Sequence, residues 1–321
     1  LDSWQATPYP YDGVPGLTPA RLANPDFQWE VSRKKEVALE LGFFKDRILL
    51  TANYYHNISD NQLLDYQLTP QVGFESINAN FPAKVLNAGW EFELNTTNMQ
   101  RKDFTWKSGL NLTANKNELK EFPGIESSTY KNVYVVGKSL SIVKGFQFLN
   151  VDPETGLAMF QSSKGPTATP AENDDYVILG KTAPEFFGGL YNSFTWKGIS
   201  LDFLFQFVKQ EGGAFNYGYG IPAPGTAYNL DRSALGRWQQ KGDITNVPKA
   251  TSGVNAANIR SYNLSTYQWG DASYIRLKNL SLRYDLSRYT RRWKVNNVSV
   301  YALAQNLFTI TNYDGYDPET R

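Results

Sequence analysis

The 321-residue chain has no cysteine and a single histidine, His56. Thiolates and imidazoles build most zinc, copper and iron–sulfur sites, so their shortage leaves carboxylates as the metal ligands still available. A cysteine nucleophile is excluded, and a Ser-His-Asp mechanism would have to use His56 as its base. His56 follows an expected strand and reads as a surface residue beyond it. Without cysteine there are no disulfides, which leaves the compartment open. Charge of one sign is not in excess either, with 32 Lys and Arg against 31 Asp and Glu. That balance and the absence of a charged tail predict no nucleic-acid partner. No run of about 18 apolar residues occurs, so no transmembrane helix is predicted. The opening LDSWQATPYP lacks the basic start and apolar stretch of a signal peptide, and a start at Leu1 reads as a mature or cut fragment.

Aromatic residues are plentiful at 15% of the chain, and the apolar residues recur with period two. Val37, Leu39, Leu41 and Phe43 alternate with Glu36, Ala38, Glu40 and Gly42; Ile48, Leu50, Ala52 and Tyr54 continue the pattern. Trp90, Phe92 and Leu94 alternate with Glu91, Glu93 and Asn95. Between Phe104 and Asn115, Trp106, Leu110 and Leu112 oppose Lys107, Asn111 and Thr113. Phe186 to Trp196 reads as a strand with less clean faces. Leu201, Phe203 and Phe205 then oppose Asp202 and Gln206, and Leu280, Leu282 and Tyr284 oppose Ser281, Arg283 and Asp285. With Val298, Val300, Ala302 and Ala304, eight strands are predicted.

Their connections alternate in length. Phe44–Asp46, about Asn98–Asp103, Lys197–Gly198 and about Arg288–Lys294 are short; roughly Ser59–Leu86, Asn117–Glu185 and Gln210–Ala272 are far longer than ordinary loops. All the long loops therefore lie on one side. Antiparallel strands with short turns at one end and long loops at the other are the pattern of an outer-membrane β-barrel, whose apolar face meets lipid. Hydrocarbon offers no partner to backbone N–H and C=O groups, so such a sheet must close. Aromatic residues beside the short turns, such as Phe43, Phe44, Trp106, Trp196, Tyr289 and Trp293, fit an interfacial girdle. Eight strands could close alone, but a small lumen is packed with side chains and suits loops of this size poorly. The predicted fold is thus all-β, an antiparallel transmembrane β-barrel of which these strands are one segment.

Six stretches in order resemble the SusC/RagA-type TonB-dependent transporters of the Bacteroidetes outer membrane: NPDFQWEVSRKKEVALELGFFKDRILLTANYY (Asn24–Tyr55), AKVLNAGWEFEL (Ala83–Leu94), VGKSLSIVKGFQF (Val136–Phe148), ILGKTAPEFFGGLYNSFTWKGISLDFLFQF (Ile178–Phe207), WGDASYIRLKNLSLRYDL (Trp269–Leu286) and AQNLFTITNYDGYDPE (Ala304–Glu319). The last two are the most specific. Ala88 stands where the family usually has Lys, and Val143-Lys144 replaces an aromatic pair. The resemblance implies that residues 1–321 are the C-terminal part of a barrel of about 22 strands, without the plug domain or the final strand. It further implies outer-membrane import of oligosaccharides or oligopeptides and no enzymatic activity. The implied partners are a SusD-like surface lipoprotein, TonB acting through the N-terminal part, the rest of the same barrel, and outer-membrane lipid.

Strand parity assigns Glu36, Glu40, Glu91, Glu93, Lys107, Asp202, Arg283 and Asp285 to the lumen. Glu91 and Glu93, about 7 Å apart on one strand face, have the spacing of a glycosidase pair; solvated wall carboxylates are the simpler reading. In the last long loop Phe215, Tyr217, Tyr219, Tyr228, Trp238, Tyr262 and Tyr267 lie among Gly, Asn and Gln. They are candidates for contact with cargo or lid, or for packing of the loops themselves. GYGIPA (Gly218–Ala223) has dinucleotide-motif spacing but no following helical pattern, and GKT (Gly180–Thr182) lacks the upstream glycine of a phosphate loop. DPET, at Asp152 and again at Asp317, reads as a turn. No cofactor is expected, with calcium on the loop carboxylates as the alternative. The competing functional classes are a soluble β-rich carbohydrate-binding or hydrolysing domain and a siderophore or vitamin receptor.

Overall fold

The period-two segments form one meandering sheet in a computed structural model, which describes residues 3–6, 12–21, 24–68, 71, 74, 76–172, 174–214, 217, 224–225, 227–251, 253, 255–295 and 297–320. Its strands are β1 (Val31–Phe43), β2 (Ile48–Asp60), β3 (Lys84–Gln100), β4 (Phe104–Glu121), β5 (Phe186–Trp196), β6 (Ile199–Lys209), β7 (Tyr274–Asp285), β8 (Ser299–Gln305) and β9 (Thr309–Thr311). The order across the sheet is β8-β7-β6-β5-β4-β3-β2-β1, so each strand lies beside the next in sequence, and β9 pairs with β7 beyond the end of β8. The eight predicted strands are all present. β3 and β4 are longer than the apolar alternation suggested, at 17 and 18 residues. Backbone pairing continues there through polar residues where the alternation has stopped. For the same reason His56 lies within β2 rather than after it.

Register settles which side chains share a face, because residues directly opposite each other point the same way. One row runs Trp106, Phe194, Leu201, Leu282, Ala302 across β4 to β8. The adjoining row on the other face runs Lys107, Ser193, Asp202, Ser281. The apolar face is bare: Val37 is 71% exposed, Trp90 49% and Leu282 48%. Stacked and edge-to-face rings line it, with Trp106–Phe194 centroids 5.4 Å apart and Phe203–Phe205 5.7 Å apart.

The short connections are tight. Lys197 and Gly198 take left-handed φ of 47° and 90°, the pair that a two-residue hairpin of matching twist requires. Phe44, Lys45 and Asp46 are all left-handed as well. Gly188 in β5 answers a different demand, since a Cβ there would run into the Asn111 carbonyl oxygen of β4 and the Phe207 ring. The fourth short connection is not a plain turn; it folds into a helical turn at Ser287–Thr290 and a 3-10 turn at Arg291–Trp293.

Contacts divide the chain into two units, residues 1–37, 54–89 and 116–140 in one and 38–53, 90–115 and 141–321 in the other. The first has a core of Ala83, Val85, Leu119 and Phe122 beneath the Gln62–Gln67/Ser76–Phe81 hairpin. In it the VGKSL segment docks on the end of β4: Leu119 N–H donates to Lys138 O, Gly137 N–H to Leu119 O, and Leu140 N–H to Asn117 Oδ1. The second unit has a core of Phe146, Ala158, Phe160, Tyr262 and Leu264. A small sheet of Phe148–Val151, Ala158–Ser162 and Gly165–Thr167 supplies one side of it and the helix Ala256–Asn263 another. Asn258 of that helix is buried and joins the two, accepting from Ala158 N–H and donating to the Ala158 and Ala168 carbonyls. The second core is thus built from the long connections, and the first joins them to the ends of β3 and β4.

Candidate functional site: a loop cavity above a polar wall

The polar face of the sheet carries the predicted wall residues. Lys107, Asp202, Arg283 and Asp285 share that face, and Asp202 accepts from the Tyr191 hydroxyl of the neighbouring strand at 2.8 Å. Glu91 accepts from Asn53 Nδ2 and Glu93 from Asn95 Nδ2. Glu40 lies on β1 in the same unit as these residues, and Glu36 falls in the other unit. Carboxylates that accept from neutral amides and hydroxyls still offer further acceptor positions to water.

At the long-loop end of the second unit lies a cavity of about 350 Å3. Tyr262, Tyr267, Trp269 and Tyr313 give it aromatic walls, and Asp231 and Asp314 add carboxylates. Tyr262 is buried and stacks on Tyr267, a residue 43% exposed. Burial pushes the Tyr262 hydroxyl far above the usual phenol range, so it acts only as a neutral donor or acceptor. Tyr313 is pinned by donation from its hydroxyl to the Gly213 carbonyl. Asp231 caps the 3-10 turn Arg232–Gly236 by accepting from Ser233 N–H, and the Ser233 hydroxyl first, then that amide, hold its carboxyl below the usual range. The arrangement is an apolar, ring-lined space with hydrogen-bonding groups at its edge.

The other predicted loop aromatics are placed differently. Trp238 donates to the Pro153 carbonyl and lies against Gly156, so it ties the first DPET turn to the 236–249 segment. Tyr217 stands edge-on to Trp269 at 5.2 Å and packs on the loop core. Tyr228 is 70% exposed. Phe215, Tyr219 and the GYGIPA stretch lie outside the described residues. Trp269 and Tyr313 carry no predicted role although both fall inside the two most specific family stretches; their signal was the resemblance, which marks a segment without saying which side chain faces a cavity.

Those two stretches meet in space. Arg276 of β7 is buried and donates to Asp317 at 2.5 Å, to Glu319 at 2.6 Å and to Thr309 Oγ1 at 2.8 Å. Lys278 also reaches Glu319, and Gln210 donates to the Pro318 carbonyl. Both DPET segments are turns closed by their own aspartate: Asp152 accepts from Glu154 N–H and the Thr155 hydroxyl, and Asp317 from Glu319 N–H.

Residues 3–307 match the model of the TonB dependent receptor-like β-barrel family. The chain belongs to that family. This receptor-like barrel chain is 29% identical to TonB-dependent receptor P26 of Formosa agariphila over 95% of its own length and 32% of the relative's. It is 25% identical to TonB-dependent receptor SusC of Bacteroides thetaiotaomicron over 98% of its length and 32% of the relative's. All of it superimposes on 36% of a chain in the solved RagAB peptide transporter, with a TM-score of 0.82 and 25% identity. It therefore spans about a third of the length of these relatives. The likenesses make it a SusC/RagA-type segment of an outer-membrane β-barrel. The soluble alternative requires the apolar stripe to be buried against a second layer, and the bare stripe contradicts it.

Proposed function

We propose that the protein imports large nutrients, oligosaccharides or oligopeptides, across the outer membrane. The observation that carries this reading is a sheet with a bare apolar face and a polar opposite face, bearing loops that fold around a ring-lined cavity at one end only. Flat aromatic faces stack on sugar rings and on peptide side chains alike. The likeness to a peptide transporter supports peptide as the cargo, while the surrounding amides suit a glycan. A SusD-like lipoprotein covers the loops, TonB supplies the energy, and the rest of the same barrel closes the sheet's open edges at β1 and β8. Glu40, Glu91, Glu93, Lys107, Asp202, Arg283 and Asp285 then line a water-filled wall, with Glu36 on the same parity. Transport breaks no bond in the cargo, so this reading assigns no catalytic residue and no cofactor.

The test is uptake by intact cells of a fluorescein-labelled oligopeptide digest and a labelled maltooligosaccharide series. Deleting the gene should abolish uptake of one probe class, and restoring it with Trp269→Ala and Tyr313→Ala together should leave uptake several-fold below wild type. Unchanged uptake of both classes in the deletion strain refutes the proposal.

A further inference from the structure

The two ends of the sheet differ sharply in charge. The first short connection, 44–47, carries Lys45 and Arg47 around Asp46; the second, 101–103, carries Arg101 and Lys102 before Asp103. Lys197 stands in the third, and Arg288, Arg291, Arg292 and Lys294 in the fourth, 286–298. That is nine cations against two carboxylates in 22 residues. The three long connections, 61–83, 122–185 and 210–273, hold ten cations against thirteen carboxylates.

The four short connections form one continuous rim. Lys197 N–H donates to the Asp103 carbonyl, joining the third to the second, and Asp285 N–H donates to Gly198 O, joining the fourth to the third. Arg47 grips the end of β3 through the Thr97 and Asn98 carbonyls. Among the described residues none of the other eight cations is held in an ion pair.

At its third and fourth connections the rim borders the apolar face. The last apolar row is Phe104, Trp196, Ile199, Tyr284, Val300, and the Tyr284 hydroxyl donates to that of Tyr289, which brings the fourth connection to that face. Trp196, Tyr289 and Trp293 are each more than half exposed. Lys197 Nζ lies 5.5 Å from the Trp196 ring and Arg292 Cζ 4.5 Å from the Trp293 ring. Rings at the end of a lipid-facing stripe mark headgroup depth, so the cations beside them sit where phosphates are.

We propose that this rim binds the phosphate headgroups of anionic phospholipid in the leaflet at the short-turn end of the barrel. The inference rests on the apolar face lying in lipid. Guanidinium forks match phosphate oxygens in pairs. Each Lys or Arg near an anionic membrane surface strengthens binding about fivefold, the equivalent of about 1 kcal/mol.

The experiment uses the full-length transporter in mild detergent, incubated with phosphatidylglycerol or phosphatidylcholine, with retained lipid counted by native mass spectrometry. Wild type should retain phosphatidylglycerol preferentially, and about 0.5 M sodium chloride, whose screening length is about 4 Å, should erase the preference. The triple variant Arg288→Gln, Arg291→Gln, Arg292→Gln should lose it by about fivefold per charge. Heat-modifiable mobility on gels verifies that the variant is folded, and Lys197→Gln, which exchanges one unbranched side chain for another at the left-handed first position of its turn and keeps Gly198, serves if it is not. Equal retention of the two lipids by wild type, or an unaltered preference in the folded variant, overturns the proposal. So does inorganic phosphate raising the thermal stability of wild type as much as phosphatidylglycerol does, because the ligand is then free anion. Loss of a co-purifying periplasmic protein from the variant with its lipid content unchanged assigns the rim to an acidic protein surface instead. Retention of neither lipid would fault the membrane reading itself.

Discussion

The sheet and the long connections of this chain put their large apolar side chains in opposite places. In the connections, Phe146 and Phe160 are fully enclosed and Asn258 is satisfied by three backbone bonds, as in a water-soluble domain. In the sheet, Trp90 and Leu282 are about half exposed, while polar groups pair across the other face, as Tyr191 does with Asp202. One chain thus answers two solvents. The hydrophobic effect stabilises the loops by taking area out of water, whereas the sheet's apolar area need only stay matched to hydrocarbon. Order in the sheet comes instead from backbone pairing, which lipid enforces because nothing else there accepts a hydrogen bond.

The sharpest way to break the comparison is to empty the loop core. Phe160→Ala should cost the loop unit about 3–5 kcal/mol, the range for deleting a buried ring. Barrel insertion should persist while the 142–182 region becomes sensitive to added protease on intact cells. Loss of the barrel as well would show that the loops and sheet fold as one cooperative unit. Next in size is a charge on the lipid side. Phe203→Arg places a cation mid-strand on the apolar face and should cost about 2–4 kcal/mol. Asp202→Asn, one residue away on the opposite face, should stay within about 0.5 kcal/mol. Urea unfolding in liposomes, read by gel mobility, measures both; equal losses would erase the distinction between the faces.

Much of this contrast was legible in the sequence because a strand writes its environment in period two. Trp106 and Lys107 announce opposite faces by adjacency alone, and the alternating connection lengths announced which end bears the loops. Strand ends were less legible, since β2 runs past Tyr54 to Asp60 on pairing rather than on apolar pattern. The loop cavity was hardest to read. Tyr262 and Tyr267 were picked out by residue type and Trp269 follows Tyr267 by two residues, but Tyr313 is brought beside them from beyond β9 by long-range pairing, which no local pattern encodes. In the fourth short connection Ser287 N–H bonds to Asp285 Oδ1, an Asx turn just ahead of the helical turn that the aromatic spacing did not announce.

The smallest effect concerns the place where the two kinds of region meet, at Arg276 and the second DPET turn. The Arg276 guanidinium, and then the Glu319 N–H, hold the Asp317 carboxyl below its usual range. A carboxyl whose value is depressed in the folded state stabilises that state above the ordinary carboxylate value of about 3.9, and the contribution disappears as pH falls through the lower folded value. Its side chain is 41% exposed, so solvent screening keeps the gain below about 1 kcal/mol. The Glu319 and Thr320 amides, bonded to Asp317, should stay protected from hydrogen exchange between about pH 5 and 7, after correction for intrinsic rates, and lose protection below about pH 4. Asp317→Asn should lower protection at neutral pH and remove its dependence on pH. If the variant keeps the wild-type profile, the turn is held by Glu319 and the Gln210–Pro318 bond, and the charge on Asp317 is incidental to docking the loop end on the sheet.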